Sequence, residues 1–469
     1  MKKLSVFFII IAALMMVVPA AAMPFFSGAA NTEKRELSRL PAVIREDGSL
    51  NQNFSVEMNT YFQEHIGFRN ALISANSLIR TGLFGQGTSD DVIVGKDGWL
   101  FYGESVKDYL NAATITPRNA ASAAHTLAML EEYAESGGSR FLFVIVPNKN
   151  TIYGDMMPSY YRPRRESGNR ELIAEALRAE KVSFIDLTDA FEGLSRPVYQ
   201  KQDSHWTYEG ALIGYRAMMQ ASGFGYNAFD GLTFREEKNW PGDLSIYLYG
   251  EAAQADIQAY PNMDFTYSYL SRNTNVDSLT LETENLAGEG SLVIYRDSFC
   301  NTMQAYLAQS FERALFSRAL PYQAELIRGK KADVAILEIA ERMLSDFVYR
   351  APRMPAPAVE KNWNAHSLAE GLATCKKEES GDYIHLYGSI EPSILKDSYR
   401  VYLLAEKEGK LLGFEAFPIY EKELLGEAAR MDNGWSVYLG NTQITGSEKM
   451  SLLVESGDMA YLVPLAGEK

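Results

Sequence analysis

Histidine and cysteine are what this chain has least of: five and two residues among 469. Two cysteines, Cys300 and Cys375, are too few for a disulfide framework and show no zinc-type spacing. One bridge between them is the most they allow, and Cys300 reads more simply as a small buried thiol. Basic residues are also short, 45 Lys and Arg against 60 Asp and Glu, for a net charge of -15. That deficit argues against long contacts with nucleic acid or anionic lipid, because phosphate binding depends on clustered Lys and Arg. Beyond one N-terminal run there is no second stretch apolar enough to span a bilayer, and no repeat of the solenoid or propeller type. The length far exceeds the usual ~100 to 200 residues of one domain, so a large domain and at least one smaller one are expected.

The N-terminus sets the compartment. Lys2 and Lys3 precede an uncharged run from Leu4 to Phe26, and Ala20-Ala21-Ala22 offers small residues for signal peptidase. Residues 1–26 are therefore an export signal, either cleaved or kept as an anchor. Both versions leave the rest of the chain outside: on the outer face of the cytoplasmic membrane, in the periplasm or at the cell surface. Residues 27–49 read as a linker.

From residue 50 to about 350 the pattern becomes that of an α/β domain. Phe54, Met58, Tyr61 and Phe62 recur at helical spacing, with His65 and Arg69 on a solvated face. Gly95-Lys96-Asp97-Gly98 reads as a turn between the short strands Val92–Val94 and Trp99–Tyr102. Thr116, Pro117 and Gly137-Gly138 bracket a helix. Phe141–Val146, Val182–Asp186, Ser291–Tyr295 and Asp333–Glu338 are apolar runs suited to strands of one mostly parallel sheet flanked by helices. Ligand sites in such folds gather beyond the C-terminal ends of the strands. Residues 351–382, with Pro352, Pro355 and Pro357, read as a second linker. Residues 383–469 read as a small β-sandwich, with strands such as Val401–Leu404 and Ser451–Val454. Aromatics such as Trp435 and Tyr438 suit either an exposed carbohydrate-binding face or one wall of an ordinary core, so the domain is a candidate for carbohydrate binding only in the first case.

Scarcity of histidine narrows the chemistry. His125 lies in an alanine-rich helix, and His366 and His385 fall in the second linker and the β-rich tail. His205, in Asp203-Ser204-His205-Trp206-Thr207, is the natural general base. Asp203 stands two residues before it, close enough to orient the imidazole. Trp206 is expected to pack this loop against the sheet, and Thr207 to cap the helix that runs to Gly223. Ser298 follows the strand Ser291–Tyr295 on a turn, Arg296-Asp297-Ser298, that leads into a helix, the context of a nucleophile elbow. Ser298, His205 and Asp203 thus supply nucleophile, base and orienting acid. Candidates for oxyanion or substrate contacts are Asn148, Tyr102, Lys149 and Arg296, with Lys149 equally suited to a structural ion pair.

These motifs carry a resemblance. Gly95–Tyr102, Val146-Pro147-Asn148-Lys149 with Tyr153, Asp203–Thr207 and Asp297-Ser298-Phe299 occur in the order found in the SGNH-hydrolase-like proteins of polysaccharide O-acetylation, the alginate O-acetylation type, and in the DHHW family. The resemblance spans roughly residues 50 to 345. It implies an SGNH-hydrolase-like fold, the Asp-x-His pair ahead of the serine, and acetyl passing through an acyl-serine to a sugar hydroxyl. It also implies a polysaccharide substrate; no cofactor and no metal are expected. An acetyl donor used outside the membrane implies a membrane-bound acyltransferase partner that supplies it. Two departures stand out. Arg296 takes the place of a common glycine, which either weakens the tight elbow or marks a subfamily whose arginine faces the substrate, and Ser204 takes the place of the first histidine of the DHHW name.

Other chemistries use these residues less well. A glycosidase built on Asp203 and Asp297 would leave Ser298 and His205 idle. Asp203 and His205 as metal ligands lack a third partner at a recognisable spacing. The remaining alternatives are a carbohydrate O-acetylesterase, which shares the acyl-enzyme, and a non-catalytic polysaccharide-binding protein on the same scaffold.

Overall fold

A computed structural model describes residues 2–26, 38–45, 47–112, 115–163, 167–360, 364–407, 410–421, 425–426, 432–441, 443–444 and 449–465. The apolar N-terminal run forms one helix, Lys2–Phe26. Among the described residues it holds the only stretch long and apolar enough to cross a membrane, Ser5–Met23, which fits a signal or an anchor. Two helices follow, Phe54–His65 and Arg69–Phe84. Of the first expected linker, residues 27–37 and 46 lie outside the described residues.

Strands β1 (Val92–Val94) and β2 (Leu100–Tyr102) form the expected hairpin, with Asp97 in the left-handed region at its tip. The central sheet uses β3 (Arg140–Val146) and β4 (Phe184–Asp186), while β5 (Phe234–Trp240) pairs with β6 (Asp256–Pro261) as a separate hairpin. β7 (Ser268–Tyr269), β8 (Thr280–Glu284), β9 (Ser291–Tyr295), β10 (Arg313–Ser317) and β11 (Val334–Ala340) complete the sheet in the order β4-β3-β11-β9-β10-β8-β7. The first five are mutually parallel; β8 pairs antiparallel with β10, and β7 pairs antiparallel with β8.

The alternation along β3 shows how the sheet is covered on both sides. Phe141, Phe143 and Ile145 enter one core with the helices Pro117–Ser136 and Asn169–Glu180. Leu142, Val144 and Val146 enter the other with Tyr208–Ser222 and Cys300–Ser310. Successive side chains point to opposite faces, so a strand buried on both sides must be apolar throughout. The SGNH-like α/β architecture expected from the sequence is borne out.

The C-terminal part is strand-rich. β12 (Ala358–Val359), β13 (His366–Ser367), β14 (Lys376–Ser380), β15 (Tyr383–Ser389), β16 (Tyr399–Lys407), β17 (Lys410–Ala416), β18 (Gly434–Gly440), β19 (Lys449–Ser456) and β20 (Met459–Pro464) build two sheets. Their orders are β12-β17-β16-β19-β20-β13 and β14-β15-β18, and they share one apolar core. Residues 351–382 differ from a free linker: β12, β13 and β14 run through them and pair with the C-terminal strands. Their prolines and charges masked short edge strands, where neither feature disturbs pairing. Trp435 and Tyr438 are buried, at 0% and 4% exposure, so of the two roles open to them in the sequence they take that of core residues. Trp435 belongs to the core between the two sheets, and Tyr438 packs with the core on the Pro117–Ser136 side of the central sheet.

Candidate active site

The C-terminal ends of the neighbouring strands β3, β11 and β9 lie side by side, and each is followed within three residues by a polar residue of the region: Asn148, Glu341 and Ser298. His205 arrives from a separate loop. Tyr199 and Trp206 pair across that loop, and Gln200 N–H donates to His205 O at 3.0 Å. Trp206 is fully buried and donates its indole N–H to Phe299 O at 2.9 Å and Thr302 Oγ1 at 2.7 Å, fastening the histidine loop to the serine turn. Thr207 caps the next helix by accepting from Gly210 N at 3.0 Å.

Three side chains form a continuous hydrogen-bonded line. Asp203 Oδ1 lies 2.8 Å from His205 Nδ1, and His205 Nε2 lies 2.8 Å from Ser298 Oγ. The second carboxylate oxygen of Asp203 accepts from Trp240 Nε1 and from Asp243 N, each at 3.0 Å. Burial alone would raise the Asp203 carboxyl, but its hydrogen bond to His205 and the imidazolium charge hold it below the usual carboxylate range. Burial would lower the His205 imidazole, yet Asp203 and then Asp243 raise it above its ordinary value. An imidazole so placed takes the serine proton and is stabilised once charged.

Asp243 was not found from the sequence. It opens the helix Asp243–Tyr249, accepts from Ser204 N at 2.7 Å and from the Ser204 hydroxyl, and lies 3.6 Å from His205 Nδ1. The Ser204 hydroxyl is 3.1 Å from the same nitrogen. Burial and the Asp203 charge raise the Asp243 carboxyl. Gly242 permits this approach: a Cβ there would stand 2.4 Å from Gln202 O. Asp203, His205 and Asp243 offer atoms within 4.8 Å of one another. As metal ligands they would compete with the hydrogen bonds they already make, so the donor set fits a proton relay better than a cation.

The other sequence candidates fall in different places. Asn148 is buried, with its N–H on Glu341 Oε2 at 2.8 Å, its Oδ1 accepting from Arg342 N at 3.3 Å, and its Nδ2 without a partner among the described residues. Lys149 is a buried strut: Nζ donates to Leu100 O at 2.6 Å, Lys201 O at 2.8 Å and Asp203 O at 3.0 Å. Burial pushes its ammonium down to about 7 against the pull of Asp203 and Asp243. Tyr102 stands on the rim, its phenol raised to about 12 by burial and by Glu104, beneath the Arg342 guanidinium at 5.6 Å.

Arg296 departs from expectation. It is 4% exposed and turned inward, donating to Asp297 O, Asn301 Oδ1 and Val276 O. A long side chain at the strand end finds carbonyl partners under the turn, which is cheaper than leaving a desolvated charge without them. It braces the elbow from within and faces no open site. Asp297 ties the same turn to β11: its N–H donates to Glu338 Oε2 at 3.0 Å, and its carboxylate accepts from Phe299 N at 2.8 Å and Ala340 N at 2.7 Å. Glu338 is buried and its carboxyl raised well above the usual range by burial and by Asp297. Arg342, whose guanidinium lies 5.3 Å from the Phe299 ring, completes the rim. The acidic residue inside the apolar run Asp333–Glu338 was the one sequence signal available for Glu338; Trp240, Glu341 and Arg342 carried none.

A mostly parallel sheet carries a serine turn and an Asp-x-His loop above its C-terminal edge, an SGNH-like α/β arrangement. Residues 92–259 match the family model described as an SGNH hydrolase-like domain of the acetyltransferase AlgX, and over that span the resemblance read from the motifs is borne out. Ser298 lies beyond the matched segment. Among solved structures the chain is similar to PatB1 of Bacillus cereus, with 18% identity, TM-score 0.45, and 54% of this chain and 96% of that one covered. It is similar also to a DHHW family protein of Eubacterium siraeum, with 14% identity, TM-score 0.43, and 56% and 95% covered. AlgX of Pseudomonas aeruginosa aligns at 14% identity and TM-score 0.35, with 78% and 91% covered. The search of curated proteins returned no match.

Proposed function

We propose that this chain is an extracytoplasmic O-acetyltransferase that moves acetyl groups onto a polysaccharide hydroxyl through an acetyl-serine. The observation that carries the reading is the line Asp203, His205, Ser298, with both imidazole nitrogens engaged at 2.8 Å. The match of residues 92–259 to the AlgX acetyltransferase domain supports the choice of acetyl transfer.

In the first half-reaction Ser298 Oγ attacks the carbonyl carbon of an acetyl ester while its proton passes to His205 Nε2. The carbonyl electron pair collapses back, the donor alkoxide leaves, and it takes the proton from His205. Acetyl-serine remains. In the second half an acceptor hydroxyl gives its proton to His205, attacks the same carbonyl and leaves as the new ester, and Ser298 regains its proton. The oxyanion formed in both halves meets the Ser298 backbone N–H, which has no other partner among the described residues. Asp203 holds the imidazole tautomer throughout. Water in place of the sugar hydroxyl gives the esterase outcome by the same steps. Supply of acetyl by a membrane-bound acyltransferase is part of the proposal.

The test is turnover of p-nitrophenyl acetate by wild type, Ser298→Ala and His205→Ala, with and without oligosaccharide acceptors. Turnover confined to wild type, with acetylated oligosaccharide among the products, is the expected result. Equal rates in all three proteins would leave the non-catalytic binding reading in its place.

A further inference from the structure

The helix Arg69–Phe84 is amphipathic the wrong way round for a soluble surface. At ~100° per residue, Ser74, Ser77 and Thr81 share one face and Leu72, Ile79 and Leu83 share the opposite one. The polar face is turned inward: Ser74 and Ser77 are 5% and 0% exposed, Ser74 Oγ donates to Tyr249 O at 2.6 Å, and Ser77 Oγ meets Thr88 Oγ1 at 3.1 Å. The apolar face is turned outward, with Leu83 at 73%, Ile79 at 56% and Leu72 at 48%. Val56 and Phe62 on the preceding helix and Tyr247 on the neighbouring one are exposed as well. Water penalises such an arrangement, so the face has a covering phase.

Two further observations name that phase. Residues 54–84 hold two acidic and two basic residues and so carry no net charge, in a chain of -15. The turn between the two helices also touches the membrane-length helix, since Gly67 N donates to Pro19 O at 3.0 Å. The approach is so close that a Cβ at Gly67 would stand 2.7 Å from Ala22 Cβ. The outward face therefore continues from the end of a segment able to span a bilayer.

We propose that helix Arg69–Phe84, with Val56 and Phe62 beside it, rests in the interfacial layer of a lipid bilayer, held by apolar burial and not by charge. This goes beyond the acetyl-transfer reading and does not depend on it. Arg69–Phe84 packs against Asp243–Tyr249, whose first residue binds Asp203. The docked helix thus sets the catalytic loop close to the membrane surface, where a membrane-borne acyl donor would arrive.

The full chain in a Cys375→Ser background, reconstituted in phosphatidylcholine vesicles, is labelled with a nitroxide after Ile79→Cys, Leu83→Cys or Leu286→Cys. Position 286 is an exposed control in a turn, and Cys300 is buried away from the reagent. Accessibility to oxygen relative to a water-soluble nickel chelate is expected to be at least about threefold higher at 79 and 83 than at 286. Equal ratios at all three positions would mean that the face meets water. Shielding of 79 and 83 from both reagents would mean that a protein or a second copy covers it. Either result overturns the proposal.

Discussion

Asp243 accepts two hydrogen bonds from Ser204, one from its backbone N–H at 2.7 Å and one from its hydroxyl. That hydroxyl also faces His205 Nδ1 at 3.1 Å, so a second carboxylate reaches the imidazole through one serine. The position where the DHHW name has a histidine is thus part of the hydrogen-bonded network around the imidazole.

This arrangement predicts a pH effect. His205 must be neutral to act as base, and its imidazole is raised above the ordinary value, with Asp243 among the causes. The rate should therefore fall as pH drops through a point above the unperturbed imidazole value of about 6.5. In Asp243→Asn the acid limb of kcat/KM against pH moves to lower pH, with roughly a tenfold loss at the plateau. An unmoved limb would show that Asp243 only shapes the loop.

Asp203→Asn keeps the shape of the carboxyl group and loses its charge. Ester turnover should fall by roughly 10³ to 10⁴, as expected when the base is left in the wrong tautomer. Steady-state kinetics on a variant with unchanged circular dichroism decides this.

Lys149 ties three backbone carbonyls together. Replacing it by methionine leaves Leu100 O, Lys201 O and Asp203 O without that donor. Lys149→Met is expected to cost about 2 to 4 kcal/mol of unfolding free energy in urea titration. A fully stable variant with impaired kinetics would instead put Lys149 in contact with substrate.

Glu338 concerns stability and pH in the opposite direction from an ordinary carboxylate. Its folded carboxyl is raised, so its contribution is fully present below the unfolded value of about 4.3 and is lost as pH rises toward the folded value. Over that window the native state holds a proton that the unfolded chain releases. Glu338→Gln fixes the neutral form, so its unfolding free energy should gain on wild type as pH rises, by up to about 1.4 kcal/mol per pH unit, with a matching rise in relative melting temperature. Parallel melting curves from pH 5 to pH 8 would contradict the neutral buried acid.

The elements that were legible in the sequence are those whose signals are local. The run Phe141–Val146 and the cap Thr116-Pro117 lie within a few residues of the features that identify them, and they became β3 and the helix Pro117–Ser136. The line Asp203, His205, Ser298 was legible because few histidines compete for the role. Asp243 and Trp240 reach Asp203 only because the β5–β6 hairpin and the Gly242 turn fold back over the loop, a contact about forty residues away along the chain. Arg296 was misread for a related reason: exposure is set by the partners waiting under the turn, Val276 and Asn301, which spacing does not reveal. Trp435 shows the same limit, since an aromatic in a strand reads alike on either face of a sheet.

The central claim is a covalent acetyl-serine, and rapid acid quenching of the wild-type protein with p-nitrophenyl acetate, followed by peptide mass spectrometry, tests it most directly. One acetyl group on the peptide that carries Ser298, absent from Ser298→Ala and from protein quenched without ester, is the predicted result. Acetyl on another residue, or ester turnover with Ser298 never modified, would contradict the account.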